Sequence, residues 1–400
     1  MKNQSRFNKL SALQMKPCWL FCMHIFFMAM IAKASPKPER VILFYIDGLH
    51  WEAPEKLNLR NFNGLISEGC YVNKSYMIAP HHPTVGEYGK FNSSSFPNPV
   101  LQQGTLFISQ QNKMIQEQFF PKEKTAFYVN TVAYNSLNRG FTFSITNPSA
   151  TDEVLTNQAI ELIEKEDPKY FRIHLQTPGN EGRYLSYTKP EQPYFRKIFG
   201  PDSPYVKYIK EADQHLGRLI ESLKKSGKWE STLLIVSSDQ GQSKIGWHPV
   251  ADEDSWCTPL LLRGPGIAKN RKPSYFEHTD LTATICHLMS KDLPTQNGGS
   301  GKVDLNLLEG HEDRSVEHPR YILKINQQNV EYARLKALIQ LGIEKDMYNS
   351  SYLTFLDNDL LTPEPFYHLD RFTEWYKAGS TPHLIESNDK ILEQMRSYLK

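Results

Sequence analysis

Arg40 to Gly48 reads RVILFYIDG and Ser231 to Gly241 reads STLLIVSSDQG: two unbroken apolar runs, each ending in an acid with a glycine close behind it. A strand with one face in water alternates apolar and polar residues, so a continuous run needs both faces covered, as in a parallel sheet between helix layers. ATDEVLTNQAIELIEKE carries a Thr or Asp cap and apolar residues at Val154, Leu155, Ala159, Ile160 and Ile163, the spacing of an amphipathic helix. YFRIHLQTPG then reads as a strand, and YVKYIKEADQHLGRLIESLKKSG as a long helix closed by Gly227. The recurrence of strand, helix, strand predicts an α/β fold with a mostly parallel central β-sheet sandwiched by helices. In such sheets ligands bind beyond the carboxyl ends of the strands, where Asp47 and Asp239 both fall.

CTPLLLRGPGI gives a further strand and HTDLTATICHLM a further helix. From about Asp304 the pattern loosens into mixed helices and Pro turns, ending in the helical NDKILEQMRSYLK. The expected organisation is one catalytic-type domain over residues 35–303, with a C-terminal helical extension, 304–400, packed on the same domain.

The first 34 residues form a separate signal: basic residues up to Lys16, the apolar run from Cys18 to Ala32, and small residues at Ala32 and Ala34. This is the layout of a cleaved signal peptide, with a run too short for a membrane span, so a secreted or periplasmic chain without a stable span is expected. All five basic residues of that leader lie in a stretch without acids, so the remainder is mildly acidic. No charge argument for a nucleic acid polymer survives. Cys70, Cys257 and Cys286 remain after the leader. They allow one disulfide at most, and three buried thiols fit equally well.

Two acids at neighbouring strand ends could hold one divalent cation, because carboxylates are hard oxygen ligands. Each could instead cap the helix that follows. The glycines close behind both acids, Gly48 and Gly241, favour a site.

On these segments the chain resembles the alkaline phosphatase superfamily, most nearly its type I phosphodiesterase/nucleotide pyrophosphatase branch together with the sulfatases. VILFYIDGLHWEAPEKLNLRNFNGLISEGC is similar to the family's opening strand with its metal-binding Asp. LLIVSSDQGQSKIGWHP resembles its "SDHG…H" segment, and WCTPLLLRGPGI with EHTDLTATICHLM resembles a sulfatase-like stretch. The resemblance runs in order from Arg40 to Lys302. It implies an alkaline phosphatase-like fold and places the nucleophile at Thr84, within APHHPTVGEYGKFNSSSFPNP, ahead of Phe96-Pro97. A Thr hydroxyl needs a metal or base to take its proton, so Thr84 would also touch the cation. No Cys-x-Pro-x-Arg occurs there, which argues against the modified-cysteine chemistry of true sulfatases.

The departures matter as much. Where two-metal members carry the Asp and His of a second site this chain has Gly179 and Arg183 in PGNEGR, and where they carry a distant His it has Ser300 in NGGSG. Gln240 stands where the family has an imidazole. An amide offers an oxygen, so Asp47, Thr84, Asp239 and Gln240 form an all-oxygen set suited to one magnesium or calcium ion rather than zinc. Arg183 and Lys244 are the candidates for holding substrate oxygens, and His248 for protonating the leaving group.

Two functions follow from the resemblance. One is a secreted metal-dependent hydrolase of phosphate monoesters or diesters, with sulfate esters also admitted, using Thr84 at a one-metal site. The other is a pseudoenzyme of the same fold that binds an anion or a glycan.

Overall fold

The computed structural model describes residues 37–77, 100–102, 105–107, 113–119, 121–294, 301–358 and 381–400. Its strands in chain order are β1 Arg40–Ile46, β2 Cys70–Tyr76, β3 Val100–Gln102, β4 Thr105–Phe107, β5 Thr125–Val129, β6 Phe143–Thr146, β7 Tyr170–Leu175, β8 Thr232–Ser237 and β9 Cys257–Arg263. Seven of them form one sheet in the order β2-β9-β8-β1-β7-β5-β6, while β3 and β4 pair as a separate hairpin. β8, β1, β7, β5 and β6 run parallel, and β9 is antiparallel to both β8 and β2. The apolar runs that open the sequence are therefore the two central strands β1 and β8, buried along their whole length.

The two faces of β1 show why its run has no polar position. Ile42, Phe44 and Ile46 point into one core, together with Leu155, Ala159 and Ile163 from helix α3 (Asp152–Glu166) and Tyr205, Ile209, Leu216 and Leu223 from helix α5 (Pro204–Lys225). Val41, Leu43 and Tyr45 point into the other, against Leu281, Ile285 and Leu288 of helix α6 (Leu281–Met289). This is the expected sandwich of a mostly parallel sheet between helices. Two short helices, α1 (Ala53–Lys56) and α2 (Arg60–Leu65), follow β1, and α4 (Thr177–Leu185) follows β7.

Local chemistry sets the helix ends. Thr151 caps α3, its side chain accepting from the Val154 N–H at 3.2 Å, and Gly227 turns the chain after α5 at φ +69. Val154, which the spacing assigns to the apolar face, is 44% exposed, because the helix turns Leu155 and Ala159 inward instead. Asp213 on α5 receives the N–H groups of Asn61 (3.0 Å) and Phe62 (2.8 Å), which satisfies two donors at the start of α2 from a distant element.

C-terminal to α6, the long helix α7 (Tyr321–Leu341) leads to α8 (Tyr348–Asp357) and α9 (Thr381–Tyr398). The start of α7 packs on the sheet edge through Ile322 and Ile325 against Tyr76, Cys257 and Tyr275. Its far half forms a core of its own with the other two helices, including Leu335, Ile339, Leu353, Leu356, Leu392 and Met395. Cys70, Cys257 and Cys286 are all free and buried, so of the two possibilities the sequence leaves open, the buried thiols are the ones observed. Among the described residues no helix is long and apolar enough to cross a membrane.

Candidate metal centre

The register of the three central strands brings their ends level. Tyr45 on β1 lies opposite His174 on β7 and Ser237 on β8, so Asp47 and Asp239 leave the sheet side by side, next to the His174 imidazole. Asp47, His174 and Asp239 are all buried, and one ligand atom from each lies within 4.8 Å of the others. His174 Nε2 is 3.0 Å from Asp47 Oδ2 and 3.9 Å from Asp239 Oδ1. Gln240 Nε2 donates to Asp47 Oδ1 at 3.3 Å, and Gln176 Nε2 donates to Asp47 Oδ2 at 2.9 Å.

Each side chain is held from behind. After Asp47 the chain turns through Gly48 at φ +63, a conformation that suits glycine. The Tyr205 hydroxyl of α5 locks that turn, donating to the Gly48 carbonyl at 2.8 Å and accepting the His50 N–H at 2.9 Å. Gln176 is fixed by its own N–H, which donates to Asn130 Oδ1 at 2.8 Å; Asn130 in turn donates to Asp152 at 2.7 Å. Ser238 links the other two segments: its Oγ accepts the Leu49 N–H at 3.3 Å and donates to Asp239 Oδ1 at 3.3 Å.

Burial dominates the electrostatics. It pushes the Asp47 carboxyl up to about 7, against the hydrogen bonds from Gln176 and Gln240, and Arg183 favours the ionised form. Asp239 is also pushed up to about 7, first by burial and then by the neighbouring Asp47 charge. Burial pushes His174 down to about 4, so its imidazole is neutral near pH 7. Two buried carboxyls that resist ionisation, beside a neutral imidazole, form a set that a cation would complete. One atom points the same way: Asp239 Oδ2 is buried with no hydrogen-bond partner among the described residues. The donor set thus fits a divalent cation.

A buried cation of the protein itself lies beneath. Arg172, 1% exposed, has its guanidinium 4.7 Å from the centre of the Tyr45 ring, and its charge favours ionised Asp239. The sequence reading missed both Arg172 and His174. The signal was present: in YFRIHL the two polar residues are two apart, hence on one face of a strand whose other residues are apolar.

The residues expected at the site fall into three groups. Asp47, Asp239 and Gln240 come together as described. Arg183 is close enough to bias Asp47, and it faces the Trp247 ring at 5.5 Å, on which the buried His248 stacks at 3.9 Å. Lys244 instead pairs with Glu52 at 2.8 Å, near the surface and 5.9 Å from the centre of the Trp51 ring. Thr84 and Ser300 lie outside the described residues.

Gly179 has a steric meaning that substitution alone does not convey. A Cβ there would lie 1.5 Å from Asp47 Oδ1. With Asp47 in this position no side chain can stand at 179 without a shift. A second acid–imidazole group joins Glu277 and Asp280, just before α6, to His318, just before α7. Tyr275 Oη (2.9 Å) and the Ile322 N–H (3.4 Å) both donate to Glu277 Oε1, and the Lys302 N–H donates to Asp280 at 2.8 Å, which ties these acids to the surrounding backbone.

A sequence profile of the Sulfatase family matches residues 98–291. Human ectonucleotide pyrophosphatase/phosphodiesterase family member 5 is 21% identical over 279 residues, 63% of this chain and 56% of the relative. Rat arylsulfatase K is 26% identical over 244 residues, 58% of this chain and 42% of the relative. The chain thus spans about half the length of these curated relatives. Among solved structures, the human phosphodiesterase family member 5 superposes with a TM-score of 0.51 at 17% identity, covering 68% of this chain and all of that one. A protein in the alkaline phosphatase superfamily from Vibrio parahaemolyticus gives 0.50 at 20% identity, over 70% of this chain and 72% of that one. The fold is alkaline phosphatase-like. The curated relatives are a phosphodiesterase and an arylsulfatase.

Proposed function

We propose that this protein is a secreted hydrolase of phosphate monoesters or diesters, or of sulfate esters, working at a single-cation site. The observation that carries the proposal is the buried pair Asp47 and Asp239 at adjacent strand ends, with Asp239 Oδ2 unpartnered among the described residues. Phosphodiesterase and sulfatase relatives support both ester classes. The leader over residues 1–34 supports export.

In this reading Asp47 and Asp239 hold the cation, with Gln240 beside them and Thr84 as the attacking group. When bound, a divalent cation would supply Lewis acidity that lowers the Thr84 hydroxyl pKa and offsets the charge of the transferring group. Thr84 would release its hydroxyl proton to solvent as its oxygen bonds to phosphorus or sulfur, while the bond to the ester oxygen breaks and that oxygen leaves with a proton from His248. Water would then attack the Thr84 ester and give one proton to His248, while the bond to the Thr84 oxygen breaks and that oxygen takes back a proton from solvent. Arg183 would neutralise non-bridging oxygens in place of a second cation. Lys244 would need to leave Glu52 to join it, which makes it the lesser contributor.

The competing reading is a pseudoenzyme that binds an anion or glycan, favoured by the closure of the second site at Gly179. The two separate on Thr84→Ala. If Thr84 is the nucleophile, the variant loses turnover by several orders of magnitude while folding and cation binding persist. The wild type, quenched during turnover, then carries one phosphoryl or sulfuryl group on the peptide that contains Thr84. Unchanged turnover in Thr84→Ala would remove Thr84 from the mechanism.

A further inference from the structure

We infer that His174 is a direct ligand of the cation, and that this makes the site selective for zinc- or manganese-class ions over magnesium and calcium. The inference rests on the proposal that Asp47 and Asp239 hold a cation; it adds the third donor and the class of ion.

Zinc–nitrogen and zinc–oxygen bonds of ~2.0–2.2 Å place neighbouring ligand atoms about 3.3 Å apart in a tetrahedral set. The separations from His174 Nε2, 3.0 Å to Asp47 Oδ2 and 3.9 Å to Asp239 Oδ1, bracket that value without any strand moving. His174 is held on a central strand, opposite Tyr45 in register, with its ring 6.1 Å from that of Tyr45 and 5.5 Å from that of Tyr134. It is fully buried, so no outward rotamer offers it to water.

Gln240 is the alternative donor, and the structure assigns it a different task. Its amide nitrogen, not its oxygen, faces Asp47, at 3.3 Å. Gln240 and Gln176 thus grip the two oxygens of Asp47 from either side, which orients that carboxylate for a cation. The imidazole absent at position 240 is supplied from β7. Calcium takes six to eight oxygens and magnesium prefers oxygens and water, whereas one imidazole with two carboxylates is a donor set for zinc or manganese. The all-oxygen set expected from sequence omitted the strand between Arg172 and Leu175.

The test uses the secreted full chain, freed of metal by chelation and titrated calorimetrically with zinc, manganese, magnesium and calcium alone. Wild type is expected to bind zinc and manganese more tightly than magnesium and calcium. His174→Gln should weaken zinc by at least about 100-fold, the upper range for loss of a mere supporting partner, while magnesium and calcium change little. Because a buried substitution can unfold a chain, a second measurement needs no variant: pulsed electron spin resonance on manganese-loaded wild type, in which an imidazole ligand couples its nitrogen to the metal. An unchanged metal order in a folded His174→Gln, or no imidazole nitrogen coupling, overturns the inference and leaves the cation site standing. No binding of any of the four ions by wild type overturns both. Tight binding with the expected order but no turnover leaves His174 a ligand and sinks only the hydrolase reading.

Discussion

His174 Nε2 and Asp47 Oδ2 stand 3.0 Å apart across two adjacent parallel strands, and neither side chain reaches water. A neutral imidazole in that place bonds a carboxylate when the site is empty of charge, and a cation when it is filled. The contact therefore couples protons to metal binding.

The first prediction follows from the direction of those shifts. Between their ordinary value of 3.8 and about 7, Asp47 and Asp239 keep protons in the fold that the unfolded chain has released. Their contribution to stability is thus full below pH ~4 and lost as pH rises through 7. His174 opposes this, since between about 4 and 6.5 it is neutral in the fold and charged when unfolded, so its contribution grows with pH. Two acids outweigh one imidazole. Thermal melts of metal-free protein should show a falling midpoint from pH 5 to pH 7.5. Cation affinity should rise over the same range and then level, with protons released on binding below pH 7. An affinity flat from pH 5 to 8 would contradict the burial of these groups.

A second prediction concerns Gly179. Gly179→Asp introduces the acid that the sequence resemblance implies for two-metal members, yet it is expected to remove cation binding rather than add a second site. Its Cβ alone would enter the space of Asp47 Oδ1. Gly179→Ala should do the same, with a stability loss of about 1–3 kcal/mol from overpacking. Calorimetry that finds two equivalents of cation in Gly179→Asp would show that Asp47 can move aside.

A third prediction isolates the scaffold from the site. Asp213→Ala leaves the N–H groups of Asn61 and Phe62 without their acceptor. A cost of about 2 kcal/mol or more is expected in chemical denaturation, because each buried donor left unsatisfied costs ~1–3 kcal/mol. Cation affinity should not change. A neutral result would mean that water reaches the start of α2.

The sequence discloses the fold better than the site, for a physical reason. β1 and β8 are recognisable because burial on both faces excludes polar residues along the whole strand, and α5 because one face alone is apolar. Asp47 and Asp239 stand out because each interrupts such a run. His174 does not, because a polar residue inside a strand signals a site only once register sets it beside Asp47. The same limit hides α7: it buries Asn326 and Gln328, whose amides bond the Met77 and Ile385 carbonyls at 2.9 and 2.8 Å, so its apolar stripe is broken by polar contacts made far away in the chain. Lys244, expected from its nearness to Asp239 in sequence to hold substrate oxygens, pairs with Glu52, which comes from another segment.

The measurement that bears most directly on function is turnover of nitrophenyl phosphate, phosphodiester and sulfate by metal-free protein as one cation at a time is added back. Turnover of at least one ester should be absent without cation, rise in proportion to cation bound, and saturate at one equivalent. Asp239→Ala should abolish both binding and turnover. A folded chain that binds its single cation and hydrolyses none of the three esters would contradict the hydrolase and leave a binding protein on an alkaline phosphatase scaffold.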